Sequence, residues 1–253
     1  MEDAVLAVVT NYDFSDEADH LKAGLAPYWE TLLIDNSSPI PPRTVDFILP
    51  NRHYSGLWNA AIRLALERRK PWLLFVASDV QVPDQERLAA CMRAVLKDRS
   101  VGIYTPALRP DSRLAFPACY HRGTGRLREC FVCEGFFFLA RTDVLTSLCP
   151  VDLEANRYGW GMDIMAAYHA YRTGRRVIVD DRVVIYHPSA IHEISIEQAS
   201  AQQANYLGAE GGRFFTWTQA RLRRQERLAE IPRRMVAGVS RLLRRTLDTA
   251  NAR

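Results

Sequence analysis

The sequence predicts an α/β fold with a mostly parallel sheet that is covered by helices on both faces. Short, continuous apolar runs alternate with segments of helical periodicity along the first half of the chain. Apolar runs of this length are typical of strands buried on both faces, and their alternation with helices indicates β-α-β units. With 253 residues, 48% of them hydrophobic, the chain is long enough to build one large core.

The predicted elements of the first half follow one another with little space between them. Five apolar runs are predicted as strands: Val5–Thr10, Thr31–Asp35, Val45–Leu49, Trp72–Ala77 and Val101–Thr105. Three segments between them are predicted as helices: Asp16–Leu25, Ser55–Arg69 and Asp84–Lys97. Ligands of such sheets bind beyond the carboxyl ends of the strands, so the polar residues there are candidates for a site.

The second half is less regular, and residues 106–133 are rich in Pro and Gly, which favours loops. Further strands are predicted at Gly135–Ala140, Val177–Val179 and Val183–Tyr186. Further helices are predicted at Arg141–Leu148, Trp160–Thr173 and Ile194–Tyr206.

Charge divides the chain at about residue 212. Residues 213–253 hold 11 Arg and three acidic residues, a net charge of +8, whereas residues 1–212 hold 22 basic and 26 acidic residues, a net charge of −4. This asymmetry argues against a nucleic-acid surface over the whole body and predicts a separate tail. Apolar and Arg positions in residues 221–247 predict a basic amphipathic helix, which Pro232 is expected to divide in two.

Basic amphipathic helices bind anionic membrane surfaces, so the tail predicts peripheral attachment to the cytoplasmic face of a membrane. The alternative is a helix that packs on the body or forms a homodimer. No apolar run is long enough to span a bilayer, and Met1–Ala4 lacks the basic start of a secretory signal. Five cysteines are too few for a disulfide framework, and a reducing, cytoplasmic compartment is expected.

An ordered set of segments carries a resemblance to a known family. These segments are AVVTNY with LLIDNSSP, NRHYSGLWNAAIRLAL, LLFVASDVQVPD, EGFFFLARTDVL, YGWGMDIMAAYHAYRTGRRV and VIYHP. Together they make residues 4–188 resemble the family-2 glycosyltransferases of the GT-A fold, in particular the rhamnosyltransferase-like branch. The resemblance implies a mixed sheet with a donor-binding half at about 1–105 and an acceptor half at about 106–212.

The implied activity is inverting transfer of a sugar from a nucleotide diphosphate (UDP, dTDP or GDP) to a hydroxyl of a glycan or lipid-linked acceptor. Its expected setting is the assembly of cell-surface polysaccharide or glycolipid. Two other classes compete with this interpretation. A nucleotidyltransferase would need a Gly-rich basic loop after the first strand, which Thr10–Ser15 lacks. A non-catalytic sugar-nucleotide-binding protein stays open, because two acidic positions of the family are replaced.

The resemblance places Asp79 and His187 at a divalent cation, Mg or Mn, that contacts the donor diphosphate. Hard cations of this kind prefer carboxylate, imidazole and phosphate ligands. The first acid of the family's Asp-x-Asp element is replaced by Ala77, so one protein ligand is missing. The alternative for Asp79 is a turn or capping residue before Pro83.

On the acceptor side, Asp163 is the expected general base, which removes the proton of the attacking hydroxyl. The family's Glu-Asp pair is Met162-Asp163 here. The alternative is an acid that merely stabilises the start of a helix. Trp160 is expected to form an apolar floor for a sugar ring or to be a buried core residue, and Glu134 is expected at the acceptor.

The nucleotide is expected to contact residues at the strand ends and at the start of the second helix. Thr10 and Asp35 are implied contacts of the base, although Asp35 is equally suited to open a turn. The remaining donor-binding candidates are Asn11, Asn51, Gly56, Asn59 and Ser78.

A zinc site is the alternative role for Cys119, His121, Cys130 and Cys133, whose spacing is unusual for zinc ligands. Buried or loop thiols are the simpler expectation. His53, His169 and His192 are expected on the surface or in the core, with an exchange of roles between His192 and His187 left open.

Overall fold

The computed structural model describes residues 2–112, 115–188 and 195–250, and for Glu2 and residues 225–250 it describes the backbone alone. The chain forms two compact units, Met1–Gly212 and Arg213–Arg253. The first unit is built on an eight-stranded sheet with helices packed against it. The second unit contains the C-terminal part of a long helix.

The sheet is mixed, as the resemblance implies. Its strands are β1 (Val5–Asn11), β2 (Glu30–Asp35), β3 (Phe47–Ile48), β4 (Trp72–Ala77), β5 (Val101–Leu108), β6 (Leu127–Glu129), β7 (Phe137–Arg141) and β8 (Arg176–Ile185). Their order is β3-β2-β1-β4-β7-β5-β8-β6. The β1, β2, β3 and β4 strands pair in parallel, as do β5 and β8, whereas β7 is antiparallel to both of its neighbours and β6 is antiparallel to β8.

The helices lie close to their predicted positions in the first unit. They are α1 (Ser15–Leu25), α2 (His53–Glu67), α3 (Gln85–Leu96), α4 (Thr142–Leu145), α5 (Met162–Arg172) and α6 (Ile196–Ala250). Short 3-10 turns occupy Glu2–Ala4, Pro117–Cys119 and Thr146–Leu148. None of the helices within the described residues combines the length and the apolar composition of a bilayer span.

The core lies on both faces of the central strands. Every residue of β1 and β4 is buried, which explains why these two strands read as continuous apolar runs. Trp58 of α2 packs against Phe75 and Phe138 with ring centroids 5.4 and 4.6 Å apart. This aromatic cluster fixes α2 over the junction of β4 and β7, and therefore sets where the start of α2 lies relative to the strand ends.

Three expectations about secondary structure are wrong. The two strands predicted at 177–179 and 183–186 are one strand, β8, because a bulge opposite Pro106 and Ala107 absorbs the polar residues between them. The loop-rich segment contains β6, which pairs with β8. Pro232 does not divide the tail, since α6 is helical on both sides of it and its only non-helical residue among those described is Gly208.

Candidate functional site

Asn11 and Asp35 end adjacent parallel strands and bind each other. Asn11 Nδ2 donates to Asp35 Oδ1 over 2.8 Å, and the Ser38 backbone N–H donates to Asp35 Oδ2 over 2.9 Å. The Ser38 hydroxyl also donates to Oδ1 over 2.6 Å, and Asp35 is fully buried. The carboxylate therefore closes the turn after β2, which is the alternative role considered for it, and its contact with a base stays a prediction.

Thr10 and Ser78 end the next pair of parallel strands, β1 and β4. The Ser78 backbone N–H donates to the Thr10 carbonyl over 2.9 Å, and the Thr10 hydroxyl donates to the Val76 carbonyl over 3.3 Å. Both residues are buried. The sheet thus brings these two donor-side candidates together at its carboxyl edge.

Asn51 and Gly56 shape the start of α2. Asn36 Nδ2 and the His53 backbone N–H both donate to Asn51 Oδ1 over 3.0 Å, and the Arg52 backbone N–H donates to Asn36 Oδ1. A Cβ on Gly56 would lie 2.3 Å from Arg52 Cβ, so this position requires glycine. Asn36, which directly follows β2, is the residue that ties this strand end to the helix start.

Asn59 lies one turn further along α2 and contacts a different loop. Its Nδ2 donates to the Val151 carbonyl over 2.9 Å, and its Oδ1 accepts the Val151 backbone N–H over 2.8 Å and the Cys149 thiol over 3.3 Å. Both polar atoms of this side chain therefore hold residues 149–151. Its predicted contact with the donor stays a prediction.

Asp79 and His187 form a buried pair at the carboxyl end of β4. Asp79 Oδ2 lies 3.0 Å from His187 Nε2, and the two side chains are 14% and 10% exposed. Reciprocal backbone hydrogen bonds of 2.8 and 3.0 Å between Gln81 and Tyr186 bring the two segments together. The imidazole is stacked on Phe136 with centroids 3.9 Å apart, which fixes its plane.

This pair fits one side of a hard divalent cation. Adjacent ligands of an octahedral ion with bonds of about 2.1 Å are roughly 3.0 Å apart, which matches the Asp79–His187 separation. No group of three or more His, Cys, Asp or Glu residues is arranged for a metal in the part of the chain that the structure describes. Coordination of a metal by these two residues stays a prediction.

Asp163 lies in the first turn of α5 and is half-buried. Burial raises the pKa of this carboxyl to about 7, against the opposing effect of backbone N–H groups. Its Oδ1 accepts the Ile164 N–H over 2.8 Å, and its Oδ2 faces Gly135, where an added Cβ would lie 3.7 Å away. A carboxylate with a pKa near neutrality is suited to accept a proton under ordinary conditions.

The loop before α5 is held by Asn156, which is fully buried. This residue was not identified from the sequence as part of the site. Its Oδ1 accepts the Gly159 N–H and its Nδ2 donates to the Trp160 carbonyl, each over 3.1 Å, while its own carbonyl accepts the Ser55 hydroxyl. Gly159 and Gly161 have φ values of 73° and 87°, a left-handed region that favours glycine. Trp160 is half-buried between them.

Glu134 is only 1% exposed, and its Oε1 accepts the Phe116 backbone N–H over 2.6 Å. Burial raises the pKa of Glu134 well above its ordinary value, and the nearby charge of Asp163 raises it further. The Glu134 side chain therefore holds the Phe116 backbone against the segment that leads into β7. Its predicted contact with an acceptor stays a prediction.

Tyr54 connects the two halves of the site and was not a candidate. Its hydroxyl donates to the Gly135 carbonyl over 3.0 Å, and its ring meets Phe75 edge-on with centroids 5.8 Å apart. Burial raises the pKa of Tyr54 well above its ordinary value, and the charges of Asp79 and Asp163 add to the effect. The Tyr54 phenol therefore lies within the electrostatic reach of both acids.

The cysteine-rich segment brings two thiols together rather than four ligands. Cys119 Sγ and Cys130 Sγ are 3.4 Å apart and both are buried, while the Cys133 thiol donates to the Asp163 carbonyl over 3.5 Å. His121 Nδ1 is buried without a hydrogen-bond partner among the described residues. The geometry supports buried thiols, which was the simpler expectation, and no zinc cluster forms among these four described residues.

The other histidines lie apart from the Asp79–His187 pair or outside the structure. His53 begins α2 and is exposed, and burial together with the charge of Arg157 lowers its pKa. His169 lies in the last turn of α5, where burial also lowers its pKa. His192 lies outside the described residues.

Comparison with known proteins identifies the fold. No protein-family model matches the sequence, and no curated protein matches it. Among solved structures, a mannosyltransferase from Pyrobaculum calidifontis in complex with GDP-Man and Mn2+ matches with a TM-score of 0.52 and 17% identity, over 81% of this chain and 61% of that one. S. aureus TarS in complex with UDP-GlcNAc matches with a TM-score of 0.56 and 14% identity, over 78% and 64% of the two chains.

A third solved structure, glucosyl-3-phosphoglycerate synthase from Mycobacterium tuberculosis with Mg2+ and UDP, matches with a TM-score of 0.53 and 11% identity, over 79% of this chain and 75% of that one. These similarities show that the chain has the GT-A type of fold. The chain spans about three fifths of the mannosyltransferase that it matches. At these identities, activity does not follow from the similarity.

Proposed function

We propose that this protein is an inverting glycosyltransferase, which moves a sugar from a nucleotide diphosphate to an acceptor hydroxyl. The observation that carries the proposal is the series of contacts that leads from the Asp79–His187 pair to Asp163. His187 is stacked on Phe136, and a Cβ on the neighbouring Gly135 would lie 3.7 Å from Asp163 Oδ2. The carboxylate proposed for the diphosphate side and the one proposed for the acceptor side therefore flank the same two residues. The solved structures of the same fold are complexes with UDP, UDP-GlcNAc and GDP-Man, and they support the choice of donor class.

On the donor side, Asp79 and His187 are the residues that would hold a Mg or Mn ion, with phosphate oxygens of the donor completing its ligands. Such an ion would neutralise charge on the departing diphosphate. Thr10, Asn11, Asp35 and Ser78 are proposed to line the nucleotide, because they lie together at the carboxyl edge of β1, β2 and β4. Asn51 and Gly56 shape the adjacent start of α2.

On the acceptor side, Asp163 accepts the proton of the attacking hydroxyl. Its raised pKa comes from burial, so it is a stronger base than an exposed carboxylate and is still ionised just above neutral pH. Trp160 is proposed as an apolar surface for a sugar ring. Burial and the charge of Asp163 both raise the pKa of Glu134, which disfavours a second negative charge beside Asp163.

The C-terminal tail is proposed to hold the enzyme at an anionic membrane surface, where a lipid-linked acceptor of polysaccharide or glycolipid assembly would be found. The support is the net charge of +8 in residues 213–253. Deletion of residues 221–253 should abolish sedimentation with anionic vesicles while leaving nucleotide binding intact. Unchanged sedimentation would leave a dimer helix or a helix packed on the body as the role of the tail.

The enzyme assignment is tested by a thermal-shift screen of nucleoside diphosphates with and without Mn2+, followed by assays of nucleotide release from the matching UDP-, dTDP- or GDP-sugar. A ligand that binds only the folded protein raises its melting temperature by mass action. Asp163→Asn should abolish release. Asp143→Asn is the matched control, because Asp143 is an exposed acid paired with Arg175 and should have no effect.

If no donor releases nucleotide and Asp163→Asn changes nothing, the enzyme assignment is wrong. A protein that still binds a nucleotide in the screen would then be a non-catalytic sugar-nucleotide-binding protein, for which the loss of acids at Ala77 and Met162 provides a reason.

A further inference from the structure

Gly135 lies directly against the oxygen of Asp163 that faces away from its helix. Asp163 Oδ1 accepts the Ile164 N–H over 2.8 Å. Oδ2 is the atom closest to a Cβ built on Gly135, at 3.7 Å, and the Asp163 Cβ follows at 3.9 Å. Gly135 and Asp163 are both partly exposed, although the flanking Glu134 and Phe136 are buried. The missing side chain at this position therefore leaves space beside Oδ2.

The backbone does not require glycine here. The backbone of Gly135 does not have a positive φ. A Cβ at this position would meet its nearest neighbours at ordinary contact distances of 3.7 Å or more. The walls of the space are rigid, because Trp58 Cζ2 lies 3.8 Å from the same Cβ position and the Tyr54 hydroxyl holds the Gly135 carbonyl. An alanine would therefore be tolerated by the fold, and glycine leaves the space beside Asp163 Oδ2 open.

We infer that the gap over Gly135 is the opening through which the acceptor hydroxyl reaches Asp163 Oδ2, which makes Gly135 a specificity-determining residue. This inference rests on the proposed glycosyl transfer. The hydroxyl oxygen forms a bond to the anomeric carbon, the bond from that carbon to the diphosphate oxygen breaks, and its electron pair leaves with the nucleoside diphosphate. The hydroxyl proton moves to Asp163 Oδ2.

A hydroxyl carried on a sugar ring is the nucleophile most sensitive to the space over Gly135. An oxygen that gives its proton to Oδ2 must come within about 2.6–3.2 Å of it. A secondary ring hydroxyl brings two bulky ring carbons with it, whereas a primary hydroxyl or water brings one carbon or none. A methyl group on Gly135 would lie 3.7 Å from Oδ2. It would therefore hinder the approach of a secondary ring hydroxyl more than that of a primary hydroxyl or water.

The test compares Gly135→Ala and Gly135→Val with Gly212→Ala as the matched control. A Cβ on Gly212 meets nothing within 4 Å, so the control adds the same methyl to an open helical position. The donor is the nucleotide sugar selected by thermal shift, and the acceptors are p-nitrophenyl hexosides that offer either secondary hydroxyls alone or a primary hydroxyl as well. Transfer product and released nucleoside diphosphate are both measured.

We expect Gly135→Ala to lower transfer to secondary hydroxyls by roughly tenfold to a hundredfold, in line with the cost of misplacing a nucleophile by about 1 Å. The ratio of transfer to hydrolysis should fall, more strongly in Gly135→Val, while the affinity for nucleoside diphosphate stays that of the wild type. The control should match the wild type.

Two results would count against the inference in different ways. If the wild type transfers sugar and the Gly135 variants keep its ratio of transfer to hydrolysis for both kinds of hydroxyl, the opening lies elsewhere and the proposed function stands. If the wild type neither transfers nor hydrolyses any donor, the proposed function fails and the role of Gly135 fails with it.

Discussion

Asp79 and His187 are 108 positions apart in the sequence, yet Asp79 Oδ2 lies 3.0 Å from His187 Nε2 at the carboxyl end of β4. The backbone bridge between Gln81 and Tyr186 sets this distance, and stacking on Phe136 holds the imidazole in plane. The fold therefore holds the pair in one geometry. Side chains that are held in this way lose less conformational entropy when they bind a partner.

Removing either member of this pair should weaken metal-dependent nucleotide binding. Asp79→Asn keeps the shape of the side chain but removes its charge, and His187→Ala removes the ring. We expect each to reduce the melting-temperature gain from nucleoside diphosphate plus Mn2+, and added EDTA should reduce that gain in the wild type as well. Asp98→Asn, a change in an acid paired with Arg176, is the control and should behave as the wild type does.

The activity should rise with pH as Asp163 ionises. Burial raises the pKa of this carboxyl to about 7, and a general base works only when it is deprotonated. We therefore expect kcat/KM to increase through a midpoint near pH 7 and to level off above it. A profile that is flat between pH 5 and pH 9 would show that Asp163 is not the base.

The same pKa has a consequence for stability. Because the pKa of Asp163 is higher in the folded protein than the ordinary value of 3.8, the folded state binds more protons than the unfolded state between these values. Stability therefore falls as pH rises from about 4 to 7, by at most roughly 4 kcal/mol. Asp163→Asn should remove this loss and melt higher than the wild type at pH 8, with little difference at pH 4.

The sequence predicted most of the fold because its signals are local. Buried parallel strands such as β1 and β4 are continuous apolar runs, so their positions followed from composition alone. The single strand β8 was read as two because Asp180 and Asp181 interrupt it. Both aspartates are buried and paired, Asp180 with Arg182 at 2.8 Å and Asp181 with Arg128 at 2.9 Å. The partner of Asp181 is 53 residues away, so this pairing leaves no local pattern in the sequence.

The site was predictable where it depends on topology and not where it depends on side-chain partners. Parallel strands bring their carboxyl ends to one edge, which is why the sequence led to Asp79 and to Thr10. The turn role of Asp35 was one of the two roles expected for it, because its partner Ser38 is only 3 residues away. The partner of Asn59 could not be foreseen, because it lies on a loop 92 residues away. Tyr54 was missed since an aromatic residue in the first turn of a helix is more often part of a core.

Substitution of Asn59 tests whether its side chain holds the loop at residues 149–151 or contacts the donor. Asn59→Ala would leave the Val151 N–H and carbonyl without their partner, which costs about 1–3 kcal/mol for buried groups. We expect a lower melting temperature and an unchanged affinity for nucleoside diphosphate. A large loss of nucleotide affinity at unchanged stability would instead support the donor contact that the resemblance implied.

Substitution of Tyr54 tests the role of its hydroxyl beside Asp163 without altering any charge. Tyr54→Phe keeps the edge-on contact with Phe75 and removes the hydroxyl that holds the Gly135 carbonyl. We expect a loss of about 1 kcal/mol of stability and a lower kcat, since the wall beside Asp163 Oδ2 loses its anchor.

The pH profile separates positioning from titration at Tyr54. Its pKa is well above the ordinary range, so the phenol stays protonated wherever Asp163 titrates and cannot itself produce the midpoint near pH 7. Tyr54→Phe should therefore lower kcat across the profile without moving that midpoint. A shifted midpoint would mean that the hydroxyl acts on the protonation of Asp163, and the anchoring role assigned to it would be wrong.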